Sequence, residues 1–251
     1  MVEFNIRLAD RVIAVSALYE STRDFCSEYL TDGEADFSVC VELTDIIAED
    51  KKSDDERERE GLKPYKYSPA YLETLALYRK IAEKMSEFDT ILFHGSAIML
   101  DGEAYIFTAK SGTGKSTHTR LWREVFGERA VMINDDKPLI SFKDGVPTVY
   151  GTPWCGKHSL GSNSSAKIKA VCILHRGEKN TISKIPPELA IPELFIQTYR
   201  FSEPAGMQRV LAMLDSLTRS VGIYTLFCNM NPEAARVAYE GMKGRNNEIK
   251  S

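Results

Sequence analysis

The sequence lacks any CxxC pair: its five cysteines, Cys26, Cys40, Cys155, Cys172 and Cys228, are odd in number and widely scattered, with no metal-ligand spacing. Buried, reduced thiols are the expectation. No apolar run approaches the length of a membrane span, and the first residues, Met1-Val2-Glu3-Phe4-Asn5-Ile6-Arg7, put charges where a signal peptide needs its apolar stretch. A cytoplasmic protein without a membrane partner is therefore expected. Positive charge is not in excess either. A formal charge of −4 and a pI near 5.7 leave no global basic footprint for nucleic acid or anionic lipid, so no nucleic-acid partner is expected. No internal repeat is present. With 43% apolar and 27% charged residues, a chain of 251 has room for one large α/β domain with a small appended subdomain.

What is present is a glycine-containing loop in a telling setting, Ala109-Lys110-Ser111-Gly112-Thr113-Gly114-Lys115-Ser116-Thr117. The apolar run Ala104 to Phe107 precedes it, and Leu121, Trp122, Val125 and Phe126 follow at helical spacing. Strand, loop and helix in that order converge backbone N–H groups on phosphate oxygens at the positive end of a helix dipole. Ser111, Gly112, Thr113, Gly114, Lys115, Ser116 and Thr117 are thus the expected phosphate cradle, Lys115 reaching the β and γ phosphates and the Ser116 hydroxyl taking magnesium. Downstream, Ala130 to Ile133 reads as a buried strand ending in Asn134-Asp135-Asp136. An apolar strand ending in aspartate is where such enzymes hold a magnesium-linked carboxylate, and adjacent carboxylates diverge and take different jobs.

Along the chain, strands are expected at Phe4 to Leu8, Arg11 to Val15 and Phe37 to Leu43, with a helix from Ser21 to Leu30. They form either a small α+β lobe or edge strands of the main sheet. Residues 49 to 61 are a mixed charge run with no apolar residue to anchor them and read as a solvated loop or linker. Residues 68 to 88 form an amphipathic helix opening on Ser68-Pro69. The lobe is bounded at 1–89 and the catalytic domain at 90–251. Thr90 to Leu100, carrying His94, reads as one strand, and Asp101-Gly102 turns it back antiparallel onto the strand that delivers the loop. A second hairpin turns at Asp144-Gly145. The segment Gly151 to His158 is either a plain loop with Trp154 plugging the core or an active-site loop presenting Lys157 or His158 to substrate, and Gly161 to Ser165 is a turn or flap. Strands at Ala170 to Leu174 and Ile223 to Cys228, and helices at Ala190 to Tyr199, Gly206 to Ser220 and Asn231 to Met242, complete the chain.

The loop Ala-Lys-Ser-Gly-Thr-Gly-Lys-Ser-Thr, the upstream His94-Gly95 and the downstream Asp135-Asp136 together resemble the catalytic domain of HPr kinase/phosphorylase. More distantly they resemble ATP-dependent phosphoenolpyruvate carboxykinase. The resemblance covers roughly residues 90 to 230. It implies an α/β fold with the mixed-sheet P-loop kinase core of that superfamily, alongside the N-terminal α+β lobe. It also implies that His94 lies in the active site, that Lys115 and Ser116 hold phosphate and magnesium, that Asp136 takes the acceptor's proton, and that Asp135 is metal-linked or orienting. Where HPr kinases carry a glutamate-led glycine- and isoleucine-rich segment, this chain has Thr152-Pro153-Trp154-Cys155-Gly156-Lys157.

The expectation is a kinase using ATP and Mg2+ to phosphorylate a hydroxyl, on a small molecule or on a serine of a peptide or protein. Trp154, Lys157 and His158 are the acceptor-side candidates, and a homo-oligomer is carried over from the family. A nucleoside-triphosphate hydrolase acting as a switch and a nucleotide sensor without turnover are the competing readings.

Overall fold

The computed structural model describes residues 1–59 and 61–244, which form a mixed α/β fold. The chain divides into two units, Met1–Met85 and Ser86–Ser251, beside the division at 89/90 read from sequence.

In the first unit, β1 (Val2–Leu8) and β2 (Arg11–Ala17) pair antiparallel across a two-residue turn in which Ala9 and Asp10 both take positive φ. Helix α1 (Glu20–Phe25) follows, then β3 (Phe37–Cys40), which joins β2 in parallel. These three strands form a sheet of their own. Two 17-residue helices close the unit, α2 (Leu43–Arg59) and α3 (Pro69–Met85). Tyr19 gives α1 no side-chain cap. The buried Glu73 carboxylate of α3 serves instead, accepting the Leu18 N–H at 2.5 Å, the Tyr19 N–H at 3.2 Å and the Thr22 hydroxyl. Ser68 caps α3 as expected, its Oγ accepting the Tyr71 N–H at 3.2 Å.

The charged stretch from residue 49 is not a loop. It is the body of α2, because the anchors are charges and not apolar side chains. Asp45 reaches back to the Glu42 N–H at 2.8 Å, buried Glu49 pairs with Arg79 of α3 at 2.5 Å, and Asp45 pairs with Lys80 at 2.7 Å. Ile46 supplies the apolar contact one turn before Glu49. A scan for apolar residues alone passes over such a helix.

The second unit begins with β4 (Thr90–Leu92), β5 (Ser96–Leu100), β6 (Glu103–Thr108) and helix α4 (Lys115–Phe126). Next come β7 (Ala130–Asn134), β8 (Leu139–Ser141), β9 (Thr148–Tyr150), the long β10 (Ser165–Arg176) and β11 (Thr181–Lys184). Helices α5 (Pro187–Phe195) and α6 (Pro204–Ser220), strand β12 (Gly222–Cys228) and helix α7 (Glu233–Met242) complete it. Among the described residues the sheet has nine strands in the order β4-β8-β9-β10-β6-β5-β7, with β12 alongside β10 and β11 on β12. Strands β6, β10 and β12 are mutually parallel and the rest mix in antiparallel, as the Asp101-Gly102 hairpin implied. Strand β11 has no counterpart in the sequence reading, since its alternation of polar residues around Ile182 leaves no apolar run to find.

The parallel strands are covered on both faces, so they read as continuous apolar runs. On one face Ile106, Val171, Ile173 and Ile223 meet Leu194, Val210, Leu214 and Leu217 from α5 and α6. On the other, Tyr105, Phe107, Cys172, Leu174 and Leu226 meet Leu121 and Trp122 of α4 and Ala234, Ala238 and Met242 of α7. Among the described residues no helix is long and apolar enough to cross a membrane. All five cysteines are free, but only Cys26 and Cys172 are buried, burial pushing the Cys26 thiol up to about 12; Cys40 is exposed, against expectation.

His118 sits in the second of these cores. Its Nε2 accepts the Trp122 indole N–H at 3.1 Å, the Phe107 ring lies edge-on at 4.6 Å, and its Nδ1 is buried without a partner among the described residues. Burial lowers its pKa from 6.5 to about 4. The unfolded chain therefore binds this proton first as pH falls, and stability is lost progressively from pH 6.5 down to about 4, by roughly 3 kcal/mol in total. His118→Gln, which keeps an acceptor for Trp122, is expected to flatten the fall in melting temperature between pH 6.5 and 4.5. An unchanged slope would clear His118 of that role.

Candidate functional site

Strand β6 delivers the chain into the 109–117 loop, where Gly112 (φ 75°) and Gly114 (φ 124°) take backbone conformations that side-chain-bearing residues rarely adopt, and Gly114 caps α4. The Thr113 N–H donates back to the Lys110 carbonyl at 3.1 Å and the His118 N–H to the Gly114 carbonyl at 2.9 Å. The loop backbone is thereby curled over the first turn of α4. Ser116 on that turn is exposed, as are Ser111 and Gly112.

The expected strand 90–100 is broken at residues 93–95, and His94 lies in the break. One antiparallel register, Thr90↔Ser141 through Leu92↔Leu139 to Ala97↔Asn134, runs across the break and shifts by one residue only at Ile98↔Met132. The break falls opposite the turn that follows β7. There the Phe93 N–H donates to the Pro138 carbonyl at 3.0 Å, the Gly95 N–H to the Asp136 carbonyl at 3.0 Å, and the His94 N–H turns away to Gln197 at 2.7 Å. This register sets Gly95 opposite Asp136 and His94 opposite Lys137, so the histidine meets the second aspartate, 42 positions later in the chain, as its diagonal neighbour.

The side chains form a connected chain. Lys115 Nζ lies 3.2 Å from His94 Nε2, which lies 3.2 Å from Asp136 Oδ1, and Asp136 Oδ2 accepts from Lys137 Nζ at 2.9 Å. His94 Nδ1 is 3.1 Å from Gln197 Oε1. With Nδ1–H donated to Gln197, the Nε2 lone pair is left to accept from the Lys115 ammonium; a protonated ring donates through Nε2 to Asp136 instead. Burial disfavours the charged form of Asp136, but the His94 hydrogen bond and the Lys137 ammonium outweigh it and bring its pKa down to about 2. Burial lowers the Lys115 pKa, with Asp136 opposing and Lys137 reinforcing. Two ammonium groups, Lys115 and Lys137, thus flank the Asp136 carboxylate, with Asp135 the adjacent acid.

Asp135 points elsewhere. It is 3% exposed, its Oδ1 accepts the Gly156 N–H at 2.5 Å, and its Oδ2 is buried with no hydrogen-bond partner among the described residues. Burial raises its pKa, with the Gly156 N–H opposing. Asn134 holds both halves of this arrangement. Its Oδ1 accepts the Asp136 and Lys137 N–H groups at 2.8 and 2.7 Å, and its Nδ2 reaches the Thr152 carbonyl and hydroxyl at 3.1 Å each.

The 151–164 segment is pinned under β7 and is not a flap. Ser162 donates its N–H to the Ile133 carbonyl at 3.1 Å and its hydroxyl to the Met132 carbonyl at 2.8 Å. A Cβ on Gly151 would stand 1.9 Å from the Ser162 carbonyl oxygen, so only glycine fits. Of the acceptor-side candidates, Trp154 is buried, which answers the plug reading, whereas Lys157 and His158 are exposed.

Three participants escaped the sequence. Lys137, directly after the aspartates, carries a local signal in its position. Arg176 stands at the carboxyl end of β10 and donates to the Gly112 carbonyl at 2.6 Å; a basic residue closing an apolar strand is a signal as well. Gln197, just past α5, gave none, since only the tertiary fold brings it to His94.

No family model matches the sequence, and no curated protein matches it. Among solved structures, the HPr(Ser) kinase/phosphatase from Coxiella burnetii matches over 61% of this chain and 99% of its own, at 8% identity and a TM-score of 0.34. A likeness of that size carries no functional weight by itself.

Proposed function

We propose that this chain is a kinase that uses ATP and magnesium to phosphorylate a hydroxyl, on a small molecule or on a peptide or protein serine. The observation that supports it is the connected run Lys115–His94–Asp136, in which a glycine-loop lysine and an ionised carboxylate flank one imidazole. In this reading the 109–117 backbone and Lys115 cradle the β and γ phosphates, and Asp136 accepts the acceptor's proton as the new O–P bond forms and the bond to the ADP oxygen breaks. His94 keeps Lys115 and Asp136 from closing into a direct ion pair, so that both groups remain available to the reactants.

Among the described residues no three His, Cys, Asp or Glu side chains cluster as a metal cage. Magnesium in phosphoryl-transfer sites needs none, since one or two protein ligands suffice beside phosphate oxygens and water. The orphaned, buried Oδ2 of Asp135 and the exposed Ser116 hydroxyl fit that need, and these two residues would hold the ion. When bound, it would neutralise charge on the β and γ phosphates.

ADP release from Mg·ATP, measured with and without a panel of hydroxylated metabolites, amino acids and serine peptides, tests the proposal. Stimulation by one acceptor class, absent from Asp136→Asn, is expected. Acceptor-independent turnover would make the chain a hydrolase, and binding without turnover a sensor; either result ends the kinase reading.

A further inference from the structure

Strands β6, β10 and β12 run parallel, so their carboxyl ends lie together along one rim of the sheet, where open α/β sheets bind ligands. Strand β6 ends in the 109–117 loop. The other two end in a pair of rings, His175 and Phe227, which are partners in the ladder. Their centroids are 4.9 Å apart and their planes 23° from parallel, a stacked arrangement. The apolar residues just before them, Ile173, Leu174 and Leu226, are buried, but Phe227 is 46% exposed. A phenyl ring left in solvent directly after the buried Leu226 calls for a reason.

Arg176 supplies the connection. Its guanidinium donates to the Gly112 carbonyl at 2.6 Å and to the Thr113 carbonyl at 3.5 Å, which ties the end of β10 to the glycine loop. The turn after β12 is braced separately. The Asn229 N–H donates to Asn180 Oδ1 at 3.0 Å, the Asn229 side chain to the Glu178 carbonyl at 2.8 Å and the Asn180 side chain to Glu233 Oε2 at 3.1 Å, so the amides nearest the rings are committed to backbone and to Glu233. Alternation along the strands puts the rings on the face of Ile173 and Ile223, opposite Arg176, and the strand order fixes a direction along the rim. Asp136 and His94 stand at the ends of β7 and β5 on one side of β6, and the ring pair stands at the ends of β10 and β12 on the other. A triphosphate lying in the loop with its γ-phosphate toward His94 therefore has its nucleoside toward β10.

We propose that His175 and Phe227 form the nucleobase subsite, a stacking surface for the base of a nucleoside triphosphate whose phosphates occupy the 109–117 loop. This rests on the kinase reading only in taking a nucleotide as ligand. Stacking on an aromatic surface serves any base and needs no edge-reading hydrogen bonds, in keeping with amides that are already engaged.

Calorimetric titration of the full chain with Mg·ATP and with Mg·tripolyphosphate separates base from phosphate. Phe227→Ala and His175→Ala are each expected to weaken ATP about tenfold and to leave tripolyphosphate unchanged, with Phe227→Tyr restoring ATP. The tripolyphosphate arm also reports that each variant is folded. Equal loss of both ligands, or no loss of ATP, overturns the subsite. Photolabelling of the unaltered protein with 8-azido-ATP should mark peptides spanning 165–184 or 222–230, and a label confined to other peptides overturns it too. If neither ATP nor tripolyphosphate binds the unaltered protein, the kinase reading falls with it.

Discussion

Asp136→Asn is expected to lower acceptor phosphorylation by about 10²- to 10⁴-fold, the range a positioned proton acceptor supplies, while ATP still binds. The binding half of this expectation follows from charge. Asp136 Oδ1 shares the His94 Nε2 with Lys115, and its carboxylate favours the Lys115 ammonium. Removing that negative charge leaves Lys115 and Lys137 facing the phosphates with less local compensation, so metal-free ATP should bind as well as before or somewhat better. Comparing ATP affinity with and without magnesium then separates two roles. A proton acceptor leaves both affinities in place when replaced, whereas a metal-holding carboxylate costs the magnesium-dependent part alone. With a pKa of about 2, Asp136 is ionised throughout the neutral range, so the activity profile should show no acid limb from this group above pH 4. Such a limb, lost in the variant, would mean that the carboxyl titrates in the working enzyme and that the Lys137 pairing opens.

Asn134→Ala is expected to lower stability by about 3–5 kcal/mol and to abolish activity together with it. The side chain is fully buried and both its ends are used. Two backbone N–H groups of the aspartate turn lose their acceptor, and the Thr152 carbonyl and hydroxyl lose a donor. Each buried group left unsatisfied costs about 1–3 kcal/mol, and water can reach only some of them. Asn134→Asp is the sharper variant. It keeps the acceptor for Asp136 and Lys137 but turns a second oxygen toward the Thr152 and Trp154 carbonyls, so it should fail on the 152–155 side alone. Chemical denaturation gives the stability, and protection of the Gly156 amide from hydrogen exchange reports whether the loop has left Asp135. A variant as stable as the parent would mean that the loop is held by other contacts.

The parts of this fold that were legible are those where one physical cause acts over a few neighbouring residues. The Asp101-Gly102 and Asp144-Gly145 turns, with positive φ at each of these residues, were readable because few residues other than glycine, aspartate and asparagine tolerate it. The strand, loop and helix around Lys115 were readable from periodicity. What was missed depends on partners far away in the chain. The run from residue 49 forms a helix because Arg79 meets Glu49 and Lys80 meets Asp45 one turn earlier, and no window over 49–61 contains either partner. The site divides the same way. His94 and Asp136 could be named, but their meeting depends on a break in a strand that periodicity shows as continuous, and Gln197 has no local signature at all. The 151–158 segment suits both a plain loop plugged by Trp154 and a loop presenting Lys157 or His158, because an aromatic beside glycine and proline fits either, and only tertiary packing shows that Trp154 is buried.

The single register that joins Thr90–Ala97 to Asn134–Ser141 also sets how this protein can change in length. A strand paired on one side alone can lose a residue and slide, but β5 is held by β6 and β7 together, and its start is tied to the aspartate turn. Deleting one residue between Phe93 and Ser96 would turn His94 to the opposite face of the sheet, and deleting one between Asp135 and Pro138 would do the same to Asp136. The 3₁₀ turn at Lys143–Gly145, which lies beyond the paired stretch, carries no such constraint. Among sequences that share this chemistry, insertions should accumulate there, and the interval from Phe93 to Pro138 should vary only in the β5–β6 hairpin turn and along α4.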